Sequence, residues 1–110
     1  GNGKQVRDLL FVDDLTELFF KIFKNKKKCS GQIFNIGFGK AIQIRKIIKQ
    51  KQKKIKKGTP EFGKIKLRLD ENIITYPDIS KIKKSIKRKP KTPFLSGLDK
   101  TINFYTRYII

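Results

Sequence analysis

The sequence contains no histidine, tryptophan or methionine, and only one cysteine, Cys29, among its 110 residues. A single cysteine cannot form an internal disulfide, and it supplies one ligand where a structural zinc site needs four from cysteine or histidine. The missing histidine also removes the usual side chain for proton transfer near neutral pH. These absences exclude a histidine-dependent hydrolase and a metal centre built on cysteine or histidine.

Long apolar runs are lacking as well. No stretch approaches the ~20 apolar residues that a membrane-spanning helix needs, and Gly1 does not begin a charged-then-apolar leader. We therefore expect a soluble, cytoplasmic protein without a membrane partner. The length suits one domain, and 37% hydrophobic residues support a core, although a small domain buries a smaller share of its surface than a large one.

Acidic residues are scarce, with nine Asp and Glu against 28 Lys and Arg, so the net charge is +19. Such a charge is typical of proteins that bind nucleic acid or anionic membranes. The lysines, however, form runs in residues 24–28, 49–57 and 81–91 and do not alternate with aromatic side chains, as they would on a base-stacking surface. We interpret most of them as solvated surface and expect unspecific nucleic-acid binding at low salt.

The chain begins its folded part with a short apolar run in residues 9–12, which is typical of a strand covered on both faces. Asp13 or Asp14 can then accept a backbone N–H bond at the start of a helix. Apolar residues from Leu15 to Phe23 recur at helical spacing, so this helix is amphipathic.

The same patterns continue along the chain and predict an α/β protein in which short strands alternate with amphipathic helices. Asp78 is placed to cap the third helix, and Thr92 is placed to cap the last, with proline after it. The third helix is predicted to face inward with Ile79, Ile82 and Ile86, and the last helix is predicted to carry an apolar stripe of Leu95, Leu98, Ile102 and Tyr105. Strands are predicted near residues 9–12, 32–36 and 64–67, and helices near residues 14–24, 43–56, 79–86 and 94–108.

A glycine turn, Gly37-Phe38-Gly39, follows the second predicted strand. Such a turn before a helix suggests a dinucleotide phosphate site, but that fingerprint needs a third glycine, and position 42 is Ile. The phosphate-binding interpretation is therefore the less favoured one.

Three segments together resemble the extended short-chain dehydrogenase/reductase family, the NAD-dependent nucleotide-sugar epimerases and dehydratases. They occur in the family's order and extend the resemblance over residues 5–105. The segments are Gln5-x-Arg7-Asp8 with Val12-Asp13-Asp14-Leu15, then Phe34-Asn35-Ile36-Gly37-x-Gly39-Lys40, and finally Phe62-Gly63 with Arg68, Glu71 and Asp78-Ile79-Ser80-Lys81.

One departure from the family pattern is prominent. Lys87-Arg88 stand where the family has Gly-Trp at the end of a helix. Loss of a left-handed glycine and of a large buried aromatic predicts weaker helix termination and packing. This departure is the reason for keeping a decayed, non-functional remnant among the hypotheses.

The resemblance implies that residues 1–110 are a single partial domain, the C-terminal substrate-binding portion of a Rossmann-type fold whose N-terminal cofactor-binding portion is absent. The family's Tyr-x-x-x-Lys pair is absent too, since Ser80 follows Tyr76 by four residues and Ile109 follows Tyr105. We therefore expect no catalytic residue and no cofactor bound by this chain alone, with NAD(P) bound only in the full-length family. We also expect an incompletely buried core in which Phe19, Phe23 or Ile47 is partly exposed.

Arg7 and Arg68 match the two family positions whose arginines bind the diphosphate of a nucleotide-sugar. Guanidinium groups suit phosphate oxygens because they present paired N–H donors in a fixed fork. The structural alternative is an ordinary salt bridge, from Arg7 to the adjacent Asp8 and from Arg68 to Glu71. Asp13 and Asp14 are interpreted as structural.

Three hypotheses follow from the sequence. The first is the substrate-binding portion of an NAD(P)-dependent nucleotide-sugar epimerase or dehydratase, inactive alone. The alternatives are a small basic module that binds RNA or another polyanion, and a decayed remnant. The nucleotide, the sugar and the choice between epimerase, dehydratase and reductase stay open.

Overall fold

The computed structural model describes residues 1–108 as five helices and two short strands. In chain order they are β1 (Val6–Arg7), α1 (Val12–Lys24), α2 (Lys26–Cys29), β2 (Ile42–Gln43), α3 (Ile44–Ile55), α4 (Ser80–Ile86) and α5 (Phe94–Tyr108). The four predicted helices are confirmed with ends that differ by at most about two residues, whereas α2 was not predicted. Within this range no helix combines the length and the apolar character needed to cross a membrane.

The three predicted strands are wrong. Residues 9–11, 32–36 and 64–67 are neither helix nor strand. The sheet consists of β1 and β2, which pair antiparallel with Val6 opposite Gln43 and Arg7 opposite Ile42. An apolar pattern indicates which side chains are buried, but a strand also needs a neighbouring backbone that pairs with it over several residues. Among the described residues, segment 64–67 has only Gly1 beside it, whose amino group donates to the Ile65 carbonyl.

A returning segment of the chain lies on the other side of Val6. The Val6 N–H donates to the Ile73 carbonyl over 2.7 Å, and the Thr75 N–H donates to the Val6 carbonyl over 3.1 Å. These bonds form a parallel bridge between Val6 and Ile74. They bring the turn that contains Arg68 next to the strand that contains Arg7.

A small apolar core lies between α1 and α4. The isoleucines predicted to face inward from the third helix are confirmed, since the buried residues are Leu18, Cys29, Ile79, Ile82 and Ile86. The expected exposure is also confirmed, because Phe19 and Phe23 face solvent and Ile47 is half-buried. The apolar stripe predicted on the last helix is only partly buried, since Leu95 and Tyr105 are exposed.

The overall shape is a slab. Its radius of gyration is 16.6 Å and its extents are 49 × 38 × 19 Å. A compact domain of this length has a radius of gyration of about 13 Å. The described chain is therefore more extended than a compact domain of the same length.

The predicted cap at the start of α1 is wrong. The helix begins at Val12 after Phe11, and no side chain caps it. Asp14 is buried, and its carboxylate accepts the N–H of Thr92 over 2.8 Å and the Thr92 hydroxyl over 3.2 Å. Asp14 is therefore structural, as predicted, but it holds the start of α5 against α1 instead of capping its own helix.

The predicted cap of α4 by Asp78 is wrong in position, because Ile79 is the N-cap residue and no side chain caps the helix. Asp78 lies one residue earlier, and its carboxylate accepts the hydroxyl of Ser80, the first residue of α4, and accepts the Ser80 N–H over 2.8 Å. These two bonds, the hydroxyl one first, hold the pKa of Asp78 below its usual value because they stabilise the charged form.

Lys87 and Arg88 take over both tasks of the Gly-Trp pair that they replace. Lys87 ends α4 in the left-handed conformation, with φ 49° and ψ 41°. The Arg88 side chain is only 9% exposed and forms an ion pair with Glu17 of α1, which Lys91 also contacts at 3.3 Å. Burial tends to raise the pKa of Glu17, but the hydrogen bonds from Arg88 and Lys91 outweigh it, so that pKa lies below its usual value.

The conformation of Lys87 leads to a stability prediction. Left-handed backbone costs a residue with a Cβ roughly 1–2 kcal/mol, whereas glycine adopts it freely but loses more entropy on folding. We expect Lys87→Gly to raise the free energy of unfolding by about 0.5–1 kcal/mol in urea titrations followed by circular dichroism. Lys84→Gly, inside α4, should instead lower it by about 1 kcal/mol, and equal effects of the two variants would contradict the assignment.

Candidate functional site

Arg7 is fixed by the backbone around β1. Its Nη1 donates to the Val6 carbonyl over 2.8 Å and to the Ile73 carbonyl over 3.3 Å. Its Nη2 donates to Oε1 of Glu71 over 2.8 Å. The side chain is 29% exposed, so the guanidinium lies at the surface in a defined position.

Arg68 and Glu71 form the two ends of a tight turn. The Glu71 N–H donates to the Arg68 carbonyl over 3.2 Å. Nε and Nη2 of Arg68 both donate to Oε2 of Glu71, over 3.4 and 3.1 Å. Arg68 is 81% exposed, whereas Glu71 is 18% exposed and lies towards Arg7.

The structure thus brings the two predicted arginines together on one carboxylate. Glu71 gives one oxygen to each guanidinium. The structural alternative is confirmed for Arg68, which forms the salt bridge to Glu71, and wrong for Arg7, because the Asp8 carboxylate is bonded elsewhere. The bridging role of Glu71 was missed by sequence reasoning, which paired it with Arg68 only because the two are three residues apart.

An open cleft adjoins Arg7. Its volume is about 460 Å³, and its lining includes Asn35, Gly37, Thr75 and Tyr76. Arg7 also lines this cleft, as do the carboxylates of Asp8 and Asp78, which already accept backbone N–H bonds. Guanidinium, amide, hydroxyl and phenol groups offer further hydrogen bonds, so the arrangement suits binding of a polar ligand.

Asp8 fills the glycine turn that sequence reasoning had weighed as a phosphate site. Its carboxylate accepts the N–H of Phe38 over 3.0 Å and the N–H of Gly39 over 2.6 Å. A Cβ at Gly37 would lie 2.4 Å from Pro77 and 2.6 Å from the Asp8 carboxylate, so only glycine fits there. The donors that would hold a phosphate already have an anion, which agrees with the less favoured status of that interpretation.

Replacing Asp8 should therefore loosen the turn. In Asp8→Asn one of the two N–H groups would face an amide NH₂ instead of an oxygen, so we expect a loss of about 1.5–3 kcal/mol in the free energy of unfolding. Urea titration measures it. Asp13→Asn is the matched control, since Asp13 is exposed and accepts no hydrogen bond within residues 1–108; a comparable loss there would contradict the role of Asp8.

The residues of this chain do not fit a dinucleotide. Asp8 occupies the N–H groups of the glycine turn, and no glycine loop leads directly into the start of α1 or α3 to receive a pyrophosphate. Within residues 1–108 no three of the side chains that commonly bind metals lie close enough to hold an ion.

The chain is similar in sequence to known sugar-nucleotide enzymes. The model of the NAD dependent epimerase/dehydratase family matches residues 1–37. CDP-paratose 2-epimerase of Salmonella typhi is 30% identical over 102 residues, and UDP-glucuronate 4-epimerase of Thermodesulfobacterium geofontis is 31% identical over 109 residues. The two alignments cover 91% and 94% of this chain but only 30% and 31% of the relatives, so the chain spans less than a third of their length.

Solved structures share the fold. UDP-glucuronic acid 4-epimerase from Bacillus cereus in complex with NAD superposes with a TM-score of 0.79 at 24% identity, over 97% of this chain and 33% of that one. UDP-glucose 4-epimerase from Thermotoga maritima with UDP-glucose superposes with a TM-score of 0.77 at 20% identity, over 100% and 34%.

These matches confirm the resemblance to the NAD-dependent epimerase/dehydratase family. They also confirm the predicted fold class, a part of the Rossmann-type α/β fold of extended short-chain dehydrogenases/reductases. This part is about a third of each matching structure.

Proposed function

We propose that this chain is the C-terminal, substrate-binding portion of an NAD(P)-dependent nucleotide-sugar epimerase or dehydratase. Residues 1–110 then form one partial domain, which completes its site against a separate cofactor-binding portion. The observation that carries the proposal is the convergence of Arg7 and Arg68 on a single anionic group, Glu71. Two guanidiniums that meet at one point make a site for a doubly anionic ligand.

The relatives support a diphosphate as that ligand. The two relatives reported above are named for CDP-paratose and UDP-glucuronate, compounds that differ in base and in sugar. What these compounds share is the diphosphate between nucleoside and sugar. We therefore assign Arg7 and Arg68 to this shared part, and the cleft lined by Asn35 and Tyr76 to a neighbouring part of the substrate.

The slab shape supports a second portion as partner. Large apolar side chains are exposed on two helices, and we call them the exposed apolar set: Phe19, Phe20 and Phe23 on α1, and Phe104, Tyr105 and Tyr108 on α5. Large exposed apolar surface often marks an interface. We assign the exposed apolar set to contact with the cofactor-binding portion, which would supply a second layer.

The proposal divides substrate binding and the chemical steps between the two portions of the enzyme. This chain binds and orients the substrate through hydrogen bonds and charge, and we assign it no catalytic residue. Hydride and proton transfer belong to the portion that holds NAD(P), since the residues described above do not fit a dinucleotide.

No specific observation favours either of the two alternative hypotheses. The comparisons give the charge of +19 no nucleic-acid role, so unspecific attraction at low salt is its only expected consequence. The hypothesis of a decayed remnant rested on Lys87 and Arg88. Both residues have a definite role in the fold, since Lys87 ends α4 and Arg88 pairs with Glu17.

Association with a cofactor-binding portion tests the proposal. The chain would be mixed with the part of Thermodesulfobacterium geofontis UDP-glucuronate 4-epimerase that lies outside the alignment. We expect co-elution from a sizing column and lower fluorescence of a dye that binds apolar surface. Phe23→Asp should weaken the complex and Lys24→Ala should not; absence of any complex would overturn the proposed partner.

A further inference from the structure

The arginine site already contains an anion. Glu71 contacts Nη2 of Arg7 at 2.8 Å and Nη2 of Arg68 at 3.1 Å. Its side chain is 18% exposed, so water screens its charge only partly. A carboxylate from the same chain therefore contacts both guanidiniums and balances one of their two positive charges.

The two arginines are held to different degrees. Arg7 has two backbone acceptors, the carbonyls of Val6 and Ile73, in addition to Glu71. Arg68 has Glu71 as its acceptor and is 81% exposed. Arg7 is consequently held in place. The exposed ion pair of Arg68 with Glu71 can be replaced by a pair of Arg68 with a ligand at a small cost in free energy.

We propose that Glu71 holds the place of the substrate diphosphate and lowers the affinity of the site by competing for both arginines. This inference rests on the proposed function. A diphosphate that binds Arg7 and Arg68 must take over the hydrogen bonds that Glu71 accepts, and it must also approach the Glu71 charge. Glu71 is thus an affinity-setting residue of the site, and removing its charge strengthens anion binding.

A purely positioning role for Glu71 predicts the opposite change in anion affinity. If Glu71 served only to hold the two arginines in place, its loss would free Arg68 and weaken anion binding. The sign of the change therefore distinguishes competition from positioning.

The experiment uses the full 110-residue chain and inorganic pyrophosphate as the probe. Side-chain Nε–H signals of Arg7 and Arg68 in NMR spectra report binding at this site alone, which separates it from unspecific binding to the many lysines. We expect Glu71→Gln to tighten pyrophosphate binding about tenfold, the equivalent of one hydrogen bond to a charged group.

Two further variants serve as controls. Glu61→Gln removes the same unit of charge, but Glu61 pairs with Lys64 at 2.7 Å, so it should leave the affinity within about twofold. Glu71→Asp keeps the charge on a shorter side chain and should stay closer to the parent than Glu71→Gln does.

The outcomes separate this inference from the proposed function. If pyrophosphate shifts neither arginine signal in the parent, the proposed substrate site is overturned. If it shifts both, and Glu71→Gln binds pyrophosphate no more tightly than Glu61→Gln does, only the competing role of Glu71 is overturned.

Discussion

Replacing Ile82 by Ala should lower the free energy of unfolding by about 2–5 kcal/mol, the usual cost of removing most of a buried branched side chain. Ile82 is 4% exposed and belongs to a core that, within residues 1–108, contains five buried apolar residues. In the part of the chain that the structure describes, no large side chain is completely buried. Small domains are only marginally stable, so this loss should remove most of the cooperative unfolding of the isolated chain.

Urea titration followed by circular dichroism measures the effect of Ile82→Ala. Ile33→Ala is the matched control, because it makes the same substitution at a side chain that is 86% exposed. It should change stability by less than about 0.5 kcal/mol. Ile82→Val should lie between them, with a loss of about 0.5–1.5 kcal/mol. Equal effects of Ile82→Ala and Ile33→Ala would contradict the placement of the core between α1 and α4.

The helices could be predicted from the sequence because their apolar spacing is a local property. Ile79, Ile82 and Ile86 recur at helical intervals, and all three are buried in the structure. Residues 32–36 also carry an apolar run, but whether a run becomes a strand depends on the backbone beside it. An apolar run does not itself show whether another backbone lies beside it, so the strand predictions failed.

The site shows the same division between local and distant information. Arg7 and Arg68 were identified through family motifs, and the pairing of Arg68 with Glu71 follows from adjacency in the chain. The bond from Arg7 to Glu71 joins residues 64 positions apart, and the bond from Thr92 to Asp14 joins residues 78 positions apart. Pairs so distant are fixed by the packing of α1, β1 and α5, which spacing along the sequence does not reveal.

Arg88 illustrates why a departure from a family motif is a poor guide to stability. Sequence reasoning took its substitution for tryptophan as a loss of packing. The structure buries the Arg88 side chain and pairs it with Glu17. The aliphatic stem of arginine covers apolar surface while its guanidinium finds a partner, so one residue can serve in place of a buried aromatic.

Arg68→Ala should weaken nucleoside diphosphate binding by about 1.5–3 kcal/mol when the chain is combined with a cofactor-binding portion, the range for hydrogen bonds to charged groups. Arg68→Lys should restore only part of the loss, because lysine supplies the charge without the paired donors. Arg7→Ala should weaken binding to a similar extent. It should also lower the stability of the fold, since the Arg7 guanidinium joins β1 to the Ile73 carbonyl.

Calorimetric titration of UDP into the combined protein measures these losses, with Lys24→Ala at the end of α1 as the control that should change nothing. Because both arginines share Glu71, their effects should not add. Removing Arg68 leaves the Glu71 charge wholly on Arg7, so Arg68→Ala alone should already cost more than half of what the double variant loses. Strictly additive losses would show that the two arginines act on separate parts of the ligand. Variants that bind UDP as tightly as the parent would overturn the assignment of a substrate site to this chain and leave only the fold resemblance.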